Sequence, residues 1–232
     1  MPCHIITSDL HLGSAHCQRA ALGAFLDAVP SDATLVLAGD TIDDPTRELS
    51  TEDRVILERI YAEAARRRVV LVQGNHDSGW SPGVEELPMQ DSYVVDGTVF
   101  VSHGDSFDNL MPRNRWFVVW FKRFHRLRVK LGAPPVHVAH YAKNWRFLYR
   151  LLRRSVMLNA VQHARENGYA AAVCGHVHFP EHACVEGVDY FNTGSWTEEA
   201  FHYVRVHEGT PELLRFDPES NTISSASAGK VR

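Results

Sequence analysis

The chain has 232 residues, 44% of them hydrophobic, and a formal net charge of -4. It suits one domain, with room for an insertion, and can bury a full core of ordinary globular composition. No apolar run approaches the ~18 residues of a membrane span. The start, Met1-Pro2-Cys3-His4-Ile5, enters a strand without a basic region or signal-like apolar stretch, so an intracellular, cytoplasmic protein is expected.

Taken in chain order, Cys3–Thr7 reads as a short strand leading into Asp9-Leu10-His11. Cys17–Val29 spaces Ala21, Leu22, Phe25, Leu26 and Val29 as a helix. Thr34–Ala38 is a buried strand ending at Gly39-Asp40, with Asp43 three residues on. Thr51–Arg68 reads as an amphipathic helix, and Val69–Gln73 as a third buried strand ending at Gly74-Asn75-His76-Asp77. Alternation of strand and helix predicts an α/β fold with a mostly buried sheet.

Tyr93–Val95 and Val99–Ser102 flank Asp96-Gly97, a two-residue hairpin signal, and the second strand delivers His103-Gly104-Asp105. Residues 110–165 carry no strand signal and read as two or three helices, broken at Gly132-Ala133-Pro134-Pro135. They interrupt the domain (1–218) as an inserted helical cap. Ala170–Cys174 then delivers Gly175-His176-Val177-His178. His182–Glu186 and Tyr190–Asn192 flank Gly187-Val188 as another hairpin, and Tyr203–Val206 and Leu213–Phe216 are expected to complete a second sheet. Two packed sheets with helices outside follow. Glu219–Arg232, rich in Ser and Ala, reads as a flexible tail. Cys3, Cys17, Cys174 and Cys184 show no C-x-x-C spacing and read as reduced thiols.

Five short polar motifs thus follow five apolar runs. Any one alone is ordinary turn chemistry, since Asp and Gly favour tight turns. Together they offer hard oxygens and imidazole nitrogens for two divalent ions: Asp9, His11, Asp40, Asn75, His103, His176 and His178. Asp40 can bridge with its two oxygens. Two ions roughly 3.5–4 Å apart acidify a bridging water and clamp a phosphoryl group, which is the requirement for phosphoester hydrolysis near neutral pH. Mixed Asp, Asn and His donors suit manganese, the expected metal, and also iron or zinc.

The pattern D-x-H, G-D-x-x-D, G-N-H-D, H-G and G-H-x-H resembles the calcineurin-like metallophosphoesterase superfamily, from Asp9 to about Trp196. That resemblance implies a four-layer α/β/β/α fold of two mixed sheets flanked by helices. It implies one metal held by Asp9, His11, Asp40 and His178, and a second held by Asp40, Asn75, His103 and His176. His76 would act beside the phosphate as a general acid or transition-state stabiliser, oriented by Asp77, with Asp43 supporting the site from behind.

Charge is unevenly distributed. Leu110–Arg154 holds twelve Lys and Arg and no Asp or Glu, leaving twelve basic against 28 acidic residues elsewhere. Trp116, Trp120 and Phe124 stand at helical spacing beside Lys122, Arg126 and Lys130, and Lys143, Arg146, Arg150 and Arg153 repeat the theme. An aromatic core face with a solvated cationic face would explain this. So would a cap that binds an amphiphilic phosphate and touches anionic lipid, or a nucleic-acid groove.

A narrower resemblance bears on the choice. His103-Gly104-Asp105-Ser106-Phe107-Asp108, the Arg/Trp-rich helices, Cys174–His178 and Asn192-Thr193-Gly194-Ser195-Trp196 are similar to the UDP-2,3-diacylglucosamine pyrophosphatase family. This implies a pyrophosphatase acting on a nucleotide-linked acylated sugar in lipid A synthesis, peripheral on the inner face of the cell membrane. The best-defined branch of that family carries Arg where this chain has His76. Asn109, Arg113, Arg146 and Arg150 are candidate phosphate contacts, chosen for their position near a motif or on a basic row. A nuclease or nucleotide phosphodiesterase of the same fold, and a non-catalytic binding scaffold, are the alternative functions.

Overall fold

A computed structural model describes residues 3–109, 146–220 and 222–225. Three short apolar strands form its centre: β1 (His4–Thr7), β2 (Thr34–Ala38) and β3 (Val69–Val72). They run parallel as neighbours, with Ile6 opposite Val36 and Val36 opposite Val70. Strand alternation sends Ile5, Leu35, Leu37, Val69 and Leu71 to one face. There they meet helix α1 (Arg19–Ala28) through Leu22, Phe25 and Leu26, and helix α2 (Thr51–Ala64) through Ile56 and Ile60.

Helix α2 starts at the Ser50 hydroxyl, which accepts the Asp53 amide at 3.1 Å, with Glu52 and Asp53 in the first turn. It ends four residues before the expected Arg68. The Arg66 and Arg67 amides both return to the Glu63 carbonyl, at 2.9 and 2.8 Å. That closes the last turn and frees the chain to become extended at Val69.

The other face of the central strands carries Ile6, Val36, Ala38, Val70 and Val72. It packs on a second sheet made of β5 (Tyr93–Val95), β6 (Val99–Val101), β7 (Ala171–Cys174), β8 (Glu181–Val185) and β9 (Val188–Asn192), in the order β5-β6-β7-β9-β8. Both hairpins of this sheet turn on a left-handed pair: Asp96 and Gly97 (φ 48° and 72°), and Glu186 and Gly187 (φ 52° and 82°). The second turn falls one residue earlier than the sequence suggests.

Helix α3 (Arg146–Glu166) covers the outer face of this sheet. Its buried Ala160, Val161 and Ala164 pack against Ala172, Cys174 and Tyr190. The four layers are therefore helices, sheet, sheet, helix. The later half of α3 belongs to the layered core and not to an inserted cap. Residues 110–145 of the expected cap lie outside the described residues.

Two expectations change at the C-terminal end. β10 (Phe201–His207) and β11 (Thr210–Asp217) do not join the second sheet. β10 pairs antiparallel with β1, Ile5 opposite Arg205, and extends the first sheet, whose order is β12-β11-β10-β1-β2-β3-β4. Its remaining edge strand β4 is Met89–Gln90. Within the segment read as a tail, Thr222–Ser225 forms strand β12 against β11.

β1, β2 and β3 are parallel to one another, and so are β6, β7 and β9. All five motifs follow strands of these two sets, at their carboxyl ends, where α/β proteins place their ligand sites.

Candidate metal centre

Main-chain bonds bring the motif loops together before any side chain is considered. Beyond the strands, the Asp9 amide donates to the Gly39 carbonyl, His11 to Asp40 and Asp43 to Leu12, each at 2.9 Å. Asp9, His11, Asp40, His176 and His178 all have φ between 50° and 67°. They are five of the nine left-handed non-glycine residues among the described ones. That conformation is costly for an L residue and gathers at functional sites.

The motif glycines have a packing reason. A Cβ on Gly74 would strike the Asp40 carboxylate and amide, and one on Gly175 would strike Asp9 and Ser8. One on Gly39 would lie 2.5 Å from His103 Nδ1. Each glycine is the floor on which a donor from another motif rests.

Among the described residues, donor atoms come together in three overlapping groups: Asp9–His11–His178, Asp9–Asp40–His103 and His11–Asp43–His76. In the first, His178 Nε2 lies 3.0 Å from Asp9 Oδ1 and 3.1 Å from His11 Nε2. His11 Nε2 lies 3.8 Å from Asp9 Oδ1 and 3.7 Å from Asp40 Oδ2. In the second, His103 Nε2 is 3.3 Å from the same Asp40 Oδ2; beside it His176 Nδ1 and Asn75 Oδ1 form a pair 3.0 Å apart, with the His103 and His176 ring centroids 5.3 Å apart. Two ligands bound ~2.1 Å from one ion stand about 3–4 Å apart, so these spacings fit edges of a coordination shell. Asp9 Oδ1 and His103 Nε2 are buried and face only fellow donor atoms, His178 Nε2 at 3.0 Å and Asp40 Oδ2 at 3.3 Å. Unsatisfied buried polar atoms are expensive, and a cation between the donors would satisfy both. The residues present therefore fit metal binding.

The second nitrogen of each ring shows which one is left for a metal. His103 Nδ1–H donates to the Ala38 carbonyl at 3.1 Å, and His11 Nδ1–H to Asp43 Oδ1 at 3.0 Å, so both present Nε2 inward.

Charge follows the geometry. Burial alone would lower the His11 and His103 rings. Asp43, Asp9 and Asp40 around His11, and chiefly Asp40 at His103, outweigh it and push both up to about 10. Burial pushes the carboxyls of Asp9 and Asp40 upward, but the rings of His178 and His11 at Asp9, and of His103 and His11 at Asp40, hold them below the usual carboxylate range. His178 moves the other way, because burial outweighs Asp9. Without metal, the cluster therefore carries protons where divalent ions would sit.

Burial also gives the centre a direction. Asp9, His11, Asp40, His103 and His178 are buried, whereas Asn75 is exposed and His176 and His76 are partly so. The Asn75–His176–His76 side is the solvent-facing side of the cluster. His76 stands edge-on to His11, ring centroids 4.9 Å apart, and its amide donates to Asp40 Oδ1 at 2.8 Å.

The expected pairing of Asp77 with His76 is not what the structure contains. The buried Asp77 carboxylate accepts main-chain amides from Ile42 at 2.9 Å, Gly74 at 3.1 Å and Thr41 at 3.3 Å, tying the second and third motif loops together. His76 Nδ1–H donates instead to the Asp43 carbonyl at 2.6 Å, which leaves Nε2 for a substrate.

Other contributors were harder to read from sequence. Asn192 Nδ2 donates to the Gly175 carbonyl at 2.5 Å, and the Trp196 amide to the Asp9 carbonyl at 3.0 Å. Thr193 Oγ1 meets Ser8 Oγ at 2.6 Å, and Ser8 Oγ in turn donates to Asp9 Oδ2. The Asn192–Trp196 run quoted above thus buttresses Asp9 and the His176 loop. From α3, Tyr149 Oη donates to the Val177 carbonyl at 2.7 Å. Arg153 stacks 3.3 Å over the Phe179 ring and pairs with Glu181 at 2.8 Å, so this member of the basic row fixes the loop carrying His178. Asn109 and Arg150 are exposed. Arg146 opens α3 with its side chain outside the described residues, and Arg113 lies outside them altogether.

The comparisons with known proteins agree with this geometry. The model of the calcineurin-like phosphoesterase family matches residues 5–180, and the chain belongs to that family. No curated protein matches it. Among solved structures it is similar to YfcE, a phosphoesterase from E. coli, at 17% identity over 96% of this chain and 97% of that one, TM-score 0.52. It is also similar to vacuolar protein sorting 29 from Cryptosporidium parvum (14% identity, 97% and 95% covered, TM-score 0.53). A third is wild-type Vps29 from Entamoeba histolytica complexed with Zn²⁺ (14% identity, 97% of both chains, TM-score 0.51). At such identities the likeness is one of fold, and the fold is shared by proteins named for different roles. No helix among the described residues is long and apolar enough to cross a membrane.

Proposed function

We propose that the chain is a dinuclear-metal phosphoester hydrolase that cleaves the diphosphate or phosphodiester of a nucleotide-linked lipid or sugar, such as UDP-2,3-diacylglucosamine. The observation that carries the reaction class is the position of Asp40 Oδ2, within 3.7 Å of His11 Nε2 and 3.3 Å of His103 Nε2. One oxygen lies near both the His11 and His103 rings, a position that a bridging carboxylate can take. Asp9, His11, Asp40 and His178 would hold one ion, and Asp40, Asn75, His103 and His176 the other, with manganese first and iron or zinc as alternatives. Two bound divalent ions supply an acidified water and neutralise phosphoryl charge.

The chain's own residues do the remainder. The Asp43 carbonyl fixes the His76 ring so that Nε2 can give a proton to the leaving oxygen or bond a phosphoryl oxygen. Asp77 keeps the Asn75–His76 loop against the Asp40 loop, which holds the distance between ligand and proton donor. Burial of Asp9, His11 and His103 excludes bulk water behind the reacting group.

The substrate reading rests on the insert, whose Leu110–Arg154 stretch combines twelve cations, no acids and many aromatics. Such a composition suits a substrate with a diphosphate, a base and acyl chains, taken from the inner face of the cell membrane. The same charge favours a second reading, a nuclease or nucleotide phosphodiesterase. A binding scaffold is disfavoured by the completeness of the donor set. Manganese-loaded protein should be assayed on UDP-2,3-diacylglucosamine, single-stranded DNA and bis(p-nitrophenyl) phosphate. UMP release from the first supports the proposal. Turnover of the generic diester without UMP release would overturn the lipid reading and leave the reaction class.

A further inference from the structure

We infer that Asp108 is a positioning residue that makes His176 bind its metal through Nδ1, unlike His11 and His103, which present Nε2. The inference rests on the dinuclear reading above. Asp108 is buried, and its Oδ2 lies 3.0 Å from His176 Nε2. The carboxylate accepts Nε2–H, which leaves the Nδ1 lone pair 3.0 Å from Asn75 Oδ1, its fellow ligand on the proposed second ion.

Asp108 is itself held firmly. It follows the short 3₁₀ turn Asp105–Phe107, and its amide donates to the Asp105 carbonyl at 3.0 Å. Asn159 of α3 donates to the Phe107 carbonyl at 2.8 Å, and the Phe107 ring packs against Phe100 and His163. The His103–Asp108 loop therefore provides one ligand of the second ion and the strut for another. The loop backbone is held by other bonds, including the His176 amide to Asp9 Oδ2 at 3.0 Å, but the partly exposed His176 ring needs its own strut. A carboxylate behind a ligating imidazole also raises its basicity toward the ion.

The test is manganese binding to metal-stripped protein, counted by electron paramagnetic resonance. Wild type should bind two ions. Asp108→Ala should bind one ion with wild-type affinity and the other ~10–100-fold more weakly. Asp108→Asn keeps an acceptor oxygen and should hold the second ion within a few-fold of wild type, a rescue that a merely structural role would not produce. Nitrogen-15 NMR of the metal-stripped wild type, which does not depend on a variant folding, should show the His176 proton on Nε2. Two wild-type affinities in Asp108→Ala, or a His176 proton on Nδ1, would overturn the inference. A wild type that binds fewer than two ions would instead overturn the dinuclear reading.

Discussion

Replacing Gly175 by alanine tests whether the motif glycines are there to seat the metal ligands. Gly175 has no positive φ, so the substitution adds volume and little backbone strain. Its new Cβ would lie 2.7 Å from Ser8 Cβ and press on Ser8 Oγ and Asp9 Oδ2. Carbon atoms at rest stand ~3.5–4.0 Å apart, so the overlap is about 1 Å. Gly175 cannot retreat, because its amide donates to the His103 carbonyl at 2.9 Å and its carbonyl accepts Asn192 Nδ2 at 2.5 Å. Ser8 and Asp9 must move instead. A displacement of ~1 Å at a reacting centre costs on the order of 100-fold in rate, and overpacking costs about 1–3 kcal/mol in stability. The expected result is a folded protein with turnover of bis(p-nitrophenyl) phosphate down about 100-fold and a weakened ion at the Asp9–His178 group. Wild-type manganese affinities with turnover within twofold would refute the packing argument.

Three further outcomes follow from the same geometry. Asp77→Ala leaves the amides of Thr41, Ile42 and Gly74 without their acceptor; urea unfolding should show a loss of ~3 kcal/mol, and an unchanged midpoint would contradict the clamp. His76→Ala should lower kcat by ~100–1,000-fold while both manganese ions stay bound, because only its backbone amide meets Asp40; loss of an ion would mean the ring is a ligand. His11 and His103, raised to about 10 without metal, favour the folded metal-free state fully below their ordinary value of about 6.5. That contribution disappears as pH rises through about 10. Because the same protons compete with metal, manganese affinity should rise with pH across this window, and uptake at neutral pH should release about two protons. Calorimetry in buffers of different ionisation heat reads that number, and release of none would contradict the electrostatics.

The clustering of Asp9, His11, Asp40, His103 and His178 was legible in the sequence because ligand chemistry admits few residue types and each follows an apolar strand. The sheet assignment of Tyr203–Val206 and Leu213–Phe216 was not. Both faces of these strands are apolar: Tyr203 and Leu214 meet the α1 side, and Val204 and Leu213 face the other sheet. Only the long-range pairing of Arg205 with Ile5 decides which sheet they join. Asp77 looked like the partner of its neighbour His76, yet its carboxylate turns back onto loop amides, and the partner of His76 is a carbonyl, which residue identity does not reveal. Asp108 escaped for a similar reason: the ring it holds is 68 residues away. In α3, a basic row hid the small buried face of Ala160 and Ala164 that places the helix in the core.

On the proposed function, Asp40 joins two ions into one hydrolytic centre. The most direct test of that claim is to titrate metal-stripped wild type and Asp40→Ala with manganese while following bis(p-nitrophenyl) phosphate hydrolysis. Wild type should gain turnover that saturates as the second ion binds, and Asp40→Ala should show none at any manganese concentration. Metal-dependent turnover surviving in Asp40→Ala, or no turnover by wild type with manganese, iron or zinc, would contradict it.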